Sequence, residues 1–255
     1  MHRLYRLPIF ARITLTLLAG VGALTSLSAF RGPPRTVRAT GRIQGTVVIS
    51  TALSARRPQF RIYAEPGSGA TPSAGPRDPI AAEVRNVVIY LDDAPARVTE
   101  HPTRARNTMA QHDERFVPHV LPIVQGTTVD FPNEDDVYHN VFSLSSAAGK
   151  GGFDLGRYPK GSSKSWTFDR AGTVQVFCHI HSDMSAVVLV LANTFFASPD
   201  DSRRFTIDDV PEGDYTIVGW HERIKPITRR VHVTAGETAT VDFNIPLPQG
   251  GARTP

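Results

Sequence analysis

The sequence GTVQVFCHIHSDM, residues 172–184, joins a strand-like apolar alternation to a run of side chains that bind metals. Side chains of a β-strand point alternately to its two faces, so Val174, Val176 and Cys178 share one face. Because that face is apolar, the pattern predicts that Cys178 points into a core and that His179 points away from it. His181 and Met184 follow the cysteine at intervals of three residues, on the segment after the strand.

A second strand pattern, VYHNVF at residues 137–142, carries another histidine thirty-nine positions before the cysteine. Val137, His139 and Val141 share a face, which predicts that His139 also points inward. Two strand-borne side chains aimed into one core, with two more on the loop after Cys178, can converge on a single atom.

One thiolate, two imidazoles and one thioether are the ligand set of a blue-copper electron-transfer site. Zinc is the obvious rival, since it binds cysteine and histidine, but it rarely accepts a thioether. The sequence therefore predicts one type 1 copper, with His139, Cys178 and His181 as equatorial ligands and Met184 as the axial one. This is also the only cysteine, so the chain has no internal disulfide and the lone thiol is best explained as a ligand.

The spacing Cys178-x-x-His181-x-x-Met184 resembles that of the cupredoxins of the plastocyanin and amicyanin type, and the two-residue gap before the methionine is more amicyanin-like. The stretch GTTVDFPN at 126–133, followed by His139 and Asn140, resembles that family's first ligand strand. The match covers roughly residues 116–192. It implies a Greek-key β-sandwich, one-electron transfer, and an outer role for Asn140, which would tie the two ligand segments together and hydrogen-bond near the sulfur. A broader similarity, to methylamine-utilisation-type plastocyanin-like proteins, covers most of the mature chain.

The C-terminal stretch FTIDDVPEGDYTIVGW, residues 205–220, is similar to carboxypeptidase-regulatory-like, transthyretin-like β-sandwich domains. Residues 201–247 are too few to bury a good core alone. We therefore expect the strands near 43–50 and 84–92 to pack with them. Twenty glycines and twenty prolines also suit an all-β, turn-rich chain.

The expected fold class is thus all-β, with a cupredoxin sandwich over 116–195 and a second, smaller sandwich over 201–247. Residues 40–115 supply N-terminal strands, interrupted by a flexible loop at 65–82 that is rich in Pro, Gly, Ala and Ser. Within this segment the polar stretch 97–114 is predicted to be irregular.

The first 29 residues have the pattern of an export signal. Arg3, Arg6 and Arg12 precede an apolar stretch from Ile13 to Ala29, and small residues stand where cleavage would occur. The alternative is an uncleaved anchor, because seventeen residues is the lower limit for spanning a bilayer. Cleavage would leave an exported, periplasmic protein with no stable membrane insertion.

The net charge of the chain does not indicate a particular class of binding partner. The formal net charge of +4 includes the three arginines of the signal segment and is close to neutral without them. No basic run alternates with aromatic residues, so nucleic acid is not an expected partner.

The sequence thus predicts an electron carrier rather than an enzyme, with redox proteins such as a dehydrogenase and a cytochrome c as partners. The alternatives are a copper-handling protein for tolerance or delivery, and a structural β-protein with a degenerate site. Three further histidines are interpreted as structural or solvent-exposed: His112, His119 and His221. His179 lies beside the cysteine, where multicopper oxidases place a ligand of a second copper, but Phe177 stands where those enzymes need another histidine, so His179 is not interpreted as a ligand.

Overall fold

The computed structural model describes residues 39–50, 79–95, 106–148 and 152–245. The predicted signal peptide, residues 1–29, lies outside these ranges, as does the predicted loop 65–82 except for its last four residues. Within the described residues no helix is both long and apolar enough to cross a membrane. Nearly all of the regular secondary structure in the described residues is β-strand, which confirms the predicted all-β fold class.

The elements, in chain order, are β1 (Thr40–Ile49), α1 (Pro79–Val84), β2 (Val88–Leu91), β3 (Arg106–Thr108), β4 (Ala110–His112), β5 (Arg115–Val117), β6 (Val120–Val124), β7 (Thr127–Pro132), β8 (His139–Ser143), a 3₁₀ turn (Ser146–Ala148), β9 (Phe153–Tyr158), β10 (Ser163–Phe168), β11 (Gly172–Phe177), β12 (Ser185–Leu191), β13 (Phe196–Ala197), β14 (Arg204–Pro211), β15 (Gly213–Trp220), β16 (Ile227–Val233), β17 (Thr238–Thr240) and β18 (Phe243–Ile245).

Strands β3 to β12 form one sandwich, here called the ligand sandwich because it carries the predicted ligands. One sheet has the order β6-β12-β11-β8-β9, the other the order β10-β7-β3, and β4 and β5 form a separate hairpin. Alternate apolar residues of both sheets meet in a common core, among them Val129 and Phe131 of β7 and Val174 and Val176 of β11. The period-two pattern that predicted an inward face on β11 is thus the pattern of this core.

The remaining strands form the second sandwich. One sheet has β1 between β14 and β17, with β18 also on β1, and the other has the order β13-β2-β15-β16. Ile43 and Val47 of β1 share a core with Ile89 of β2 and Ile217 of β15. The expectation that the early strands pack with the C-terminal segment is therefore confirmed.

The ligand sandwich is inserted into the second sandwich, between β2 and β13. The chain leaves and returns at neighbouring points: the Leu91 N–H donates to the Phe195 carbonyl at 3.0 Å, and Asn193 Nδ2 donates to the Leu91 carbonyl at 2.7 Å. Residues 40–115, which the sequence groups as one N-terminal segment, are consequently divided between the two sandwiches.

A further cluster of buried side chains joins the two sandwiches. Strand β12 has nearly every residue buried, because one of its faces lines the core of the ligand sandwich while the other faces β2 and β15. We call this cluster the joining core; its buried members are Val88, Val120, Val187, Leu189, Leu191 and Trp220. A polar contact also joins the two sandwiches: His119 of the ligand sandwich and Glu222 of the second sandwich have Nε2 and Oε1 2.8 Å apart.

Several local predictions are wrong. The stretch 97–114 is not irregular throughout, since its described part contains β3 and β4, and β9 was not predicted at all. Residues 79–82, assigned to the flexible loop, begin α1 instead. These elements are short or largely solvated, so they lack the continuous apolar pattern from which buried strands are predicted.

Candidate metal centre

Three of the predicted ligands converge in the ligand sandwich. His139 begins β8, Cys178 directly follows β11, and His181 lies in the loop before β12. The Nδ1 atoms of the two histidines are 3.0 Å apart, and Cys178 Sγ lies 3.9 Å from His139 Nδ1 and 3.8 Å from His181 Nδ1. A metal bound at about 2.0–2.3 Å by nitrogen and sulfur separates its donor atoms by similar distances. The donor spacing therefore fits a metal ion held between the three side chains.

Burial of the donors follows the strand alternation. His139 is fully buried and Cys178 nearly so, as predicted, while His179 is exposed. One part of the prediction is wrong: Val137 does not share the inward face with His139, and its side chain is 42% exposed. The reason is that β8 starts only at His139, so Val137 belongs to the preceding loop and the strand alternation does not extend to it.

Met184 lies at the end of the loop that carries Cys178 and His181. Its side chain is buried in the same core cluster as the cysteine. Two backbone hydrogen bonds close the loop: the Cys178 N–H donates to the Met184 carbonyl at 3.1 Å, and the Met184 N–H donates to the His181 carbonyl at 3.0 Å. The loop is thus a compact turn that keeps the thiol, imidazole and thioether residues together.

Asn140 links the two segments that carry the ligands. Its side-chain oxygen accepts a hydrogen bond of 2.7 Å from the His179 N–H, so strand β8 is attached to the loop after β11. Its own backbone N–H donates to the Cys178 sulfur. Both contacts agree with the outer role that the cupredoxin resemblance implies for this residue, although they are made by different parts of it.

The sulfur of Cys178 lies among hydrogen-bond donors. Burial alone would raise the pKa of Cys178. Hydrogen bonds from the His181 side chain and from the backbone N–H groups of Asn140, His181 and Ile180 outweigh this effect and lower the pKa to about 6. The contact with Cys178 in turn raises the pKa of His181. The surroundings therefore stabilise the thiolate, which is the form of cysteine that binds metals.

The opposite edge of the His139 ring contacts a carboxylate that sequence reasoning missed. His139 Nε2 lies 2.8 Å from Asp135 Oδ2, and the two side chains are 0% and 13% exposed. Burial raises the pKa of Asp135, but hydrogen bonds from the Glu114 N–H, His139 and the Asp113 N–H outweigh this effect and hold the pKa below its usual range. Residues 135 and 139 are not on a helix, so their spacing gave no sign that they meet.

His181 is the only one of the three converging side chains with appreciable exposure. Around it lies a shallow depression lined by Val137, Tyr138, Arg157 and Ile180. Val137, Tyr138 and Ile180 are all more than one-third exposed, although they are apolar or aromatic. The site thus reaches the surface through one imidazole edge within an apolar patch.

The four other histidines considered in the sequence analysis have neighbours of their own. His221 is buried against Glu83, with Nε2 and Oε1 3.1 Å apart, and His119 pairs with Glu222. The ring of His179 packs on Phe142, with ring centroids 3.7 Å apart. His112 is exposed beside Asp113 and Asp135 in a second group of possible donors, but such exposed acidic groups commonly hold no ion.

Comparisons with solved structures find amicyanins. An amicyanin variant in its Cu(I) form is 23% identical, with 34% of this chain and 82% of that chain covered and a TM-score of 0.32. The crystal structure of amicyanin from Paracoccus versutus (Thiobacillus versutus) is 24% identical, with 40% and 96% covered and the same TM-score. A search of curated proteins finds no match.

One family model, described as polysaccharide lyase family 4, domain II, matches residues 183–241. The matched segment begins in the loop before β12 and runs on to β17, so it includes parts of both sandwiches. It overlaps most of the segment 201–247 that resembles carboxypeptidase-regulatory-like domains.

Proposed function

We propose that this chain is an exported type 1 copper protein that carries single electrons between redox partners. The observation that carries the proposal is the convergence of Cys178 Sγ with the Nδ1 atoms of His139 and His181, all within 3.9 Å of one another. Met184, buried at the end of the same loop, would be the axial ligand. When bound, copper would supply a one-electron couple between Cu(II) and Cu(I).

The donor types favour copper over zinc. A thiolate with two imidazoles and a weak thioether is the donor set of blue-copper sites, whereas zinc rarely takes a thioether. Four side-chain donors also leave no open position at which a substrate could bind. This arrangement suits an electron carrier better than an enzyme.

The ligands are held so that they move little when the charge of the site changes. His139 is fixed in β8, Cys178 lies against the end of β11, and Asn140 joins the two. Sites supported by strands and by outer hydrogen bonds keep their geometry better than sites on free loops. A nearly constant geometry favours rapid electron transfer, because few atoms have to rearrange when one electron arrives or leaves.

Electrons would pass through the exposed edge of His181. The apolar patch of Val137, Tyr138 and Ile180 around it is the kind of surface that docks another protein. The protein would accept one electron from a reduced donor, such as a dehydrogenase, and pass it to an oxidised acceptor, such as a cytochrome c. No covalent bond is made or broken within the chain.

Export is proposed from the sequence of residues 1–29. The basic start, the apolar stretch and the small residues before position 30 together support a cleaved signal and a periplasmic or otherwise exported location. This part of the proposal is tested by isolating the protein from the cell fraction that contains it and determining its N-terminal residue. An intact Met1 start would contradict cleavage.

The visible absorption spectrum of the copper-loaded mature protein tests the metal assignment. We expect an intense blue charge-transfer band from Cys178 sulfur to Cu(II), which Cys178→Ser abolishes while the far-ultraviolet circular dichroism stays unchanged. His179→Ala is the matched control, because this neighbouring histidine is exposed and should leave the band intact. A Ser variant that remains blue, or a wild-type protein that binds copper without colour, would contradict the proposal. Colourless, readily exchanged Cu(I) would support the copper-handling alternative instead.

A further inference from the structure

The carboxylate of Asp135, whose side chain is 13% exposed, has a fixed place beside the His139 ring. Asp135 lies in the loop between β7 and β8, where its N–H donates to Asn133 Oδ1 at 2.9 Å. Its carboxylate accepts hydrogen bonds from the Asp113 N–H at 2.8 Å and from the Glu114 N–H at 2.9 Å. Because the Asp135 N–H and both of its carboxylate oxygens are hydrogen-bonded, Oδ2 is held 2.8 Å from His139 Nε2.

This contact decides where the proton of the neutral His139 ring resides. An ionised carboxylate can only accept hydrogen bonds, so Nε2 must carry the proton and donate it to Asp135. The other nitrogen, Nδ1, is then left with a free lone pair directed at Cys178 and His181. The ring therefore presents a metal-binding nitrogen before any ion arrives.

The same contact places a negative charge close to the site. Asp135 and His139 are both largely shielded from water, so the interaction is weakened less than it would be at the surface. A nearby negative charge stabilises a divalent ion more than a monovalent one. An oxidised copper ion would therefore gain more from Asp135 than a reduced one.

We propose that Asp135 is a positioning residue that fixes His139 with Nδ1 free for the metal and shifts the copper couple toward the oxidised state. This inference rests on the proposed function for its redox part. The positioning part concerns the metal-free protein as well. The alternative is that Asp135 only supports the turn between β4 and β5, where Asp113 and Glu114 both have positive φ angles.

The test compares the full-length mature protein with Asp135→Asn. The substitution removes the charge and keeps the size of the side chain. We expect Cu(II) affinity to fall about 10–100-fold, the range found when an outer partner of a metal-bound histidine is lost. Cu(I) affinity should fall less, so the reduction potential should rise; each tenfold change in the ratio of the two affinities corresponds to about 59 mV.

Asp136→Asn is the matched control. It removes the same charge one residue further along, where the side chain is exposed and pairs with Lys160 rather than with a ligand. We expect its potential to match that of the wild type. If Asp135→Asn lowers the stability to urea but leaves the potential and the affinity ratio unchanged, Asp135 is only a structural support and the proposal is overturned.

A measurement on the metal-free wild type keeps the proposal testable if the variant does not fold. Nitrogen-15 NMR should find the neutral His139 ring protonated at Nε2 and bare at Nδ1, and a proton on Nδ1 would overturn the positioning role. Failure of the proposed function looks different. In that case the copper-loaded wild type has no blue band, whatever the tautomer of His139.

Discussion

Met184, the proposed fourth ligand, differs chemically from the three converging side chains. Imidazole and thiolate bind both oxidation states of copper strongly, whereas a thioether is a weak axial ligand that tunes the potential. Its side chain is buried and only 1% exposed, so its environment is set by the core and not by solvent. Substitutions here should change the potential without removing the colour.

Met184→Leu removes a donor to Cu(II) and should raise the reduction potential, because the oxidised state loses more than the reduced state. Met184→Gln supplies a stronger oxygen donor and should lower it. Voltammetry of the three proteins should give shifts of opposite sign, of the order of 59 mV for each tenfold change in relative affinity.

Met109→Leu provides the control, because Met109 is equally buried in the same core cluster but is not a predicted ligand. It should leave the potential of the wild type unchanged. Equal potentials for all of these proteins would mean that Met184 does not act on the metal.

At the residue scale, the convergence of His139, Cys178 and His181 was predictable, but only one of the two contacts behind them was implied. The alternation around Cys178 and the spacing of His181 and Met184 are local features, so they can be read without coordinates. The contact of Asp135 with His139 depends on the turn at 133–137, and the link from Asn140 to His179 crosses between strands. The family resemblance implied the second contact, whereas nothing in the sequence implied the first.

Strand β1 is the clearest example of an element in which alternation of buried and exposed residues accompanies a central position in a sheet. Its ten residues alternate strictly between exposed and buried, and it pairs with β14 on one side and with β17 and β18 on the other. Gly45 is buried where neighbouring backbone leaves no room for a side chain. A Cβ built there would come within 1.8 Å of the Val241 carbonyl oxygen and 2.9 Å of the Phe205 ring.

Gly45→Ala should therefore destabilise the protein by about 1–3 kcal/mol or more, the usual cost of overpacking a buried site. Gln44→Ala is the control on the same strand, since that side chain is exposed and should change stability by only a few tenths of a kcal/mol. Urea unfolding of both variants measures the difference. Equal stability of the two would mean that β1 can shift away from Val241 without loss.

Elements with a weak pattern were the ones that sequence reasoning missed. Strand β9 is the edge of its five-stranded sheet, and only its two end residues, Phe153 and Tyr158, are buried. Strand β3 is likewise an edge strand, with no buried residue. Edge strands can be largely polar, and without alternation they cannot be separated from loops by periodicity.

At the scale of the whole molecule, the sequence suggested that distant strands combine but not how. The short C-terminal segment indicated that β1 and β2 were needed to complete it, and the structure agrees. That the ligand sandwich is an insertion follows only from the pairing of β13 with β2. The joining core was not predicted, because an apolar strand such as β12 gives no sign of which two surfaces cover its faces.

The joining core should make the stability of the ligand sandwich depend on the second sandwich. In a fragment of residues 106–195, the outer faces of β6 and β12 lose the cover of Val88 and Trp220 and expose Val187 and Leu189 to water. Burying one Val or Leu side chain is worth about 1.5–3 kcal/mol, so the metal-free fragment should unfold at lower urea than the full mature chain. Copper should restore part of the loss, because binding energy adds to folding energy when the site forms only in the native state.

Two substitutions on β12 separate this explanation from general damage by truncation. Leu189→Lys places a charge in the joining core, so it should destabilise the full chain by several kcal/mol yet cost the fragment little, because there the side chain reaches water. Val188→Lys faces the core of the ligand sandwich and should destabilise both proteins. Urea unfolding of the four variants, metal-free and copper-loaded, gives the comparison. If Leu189→Lys costs the same in both proteins, or if the unsubstituted fragment is as stable as the full chain, the second sandwich is a tethered accessory and not a support for the metal site.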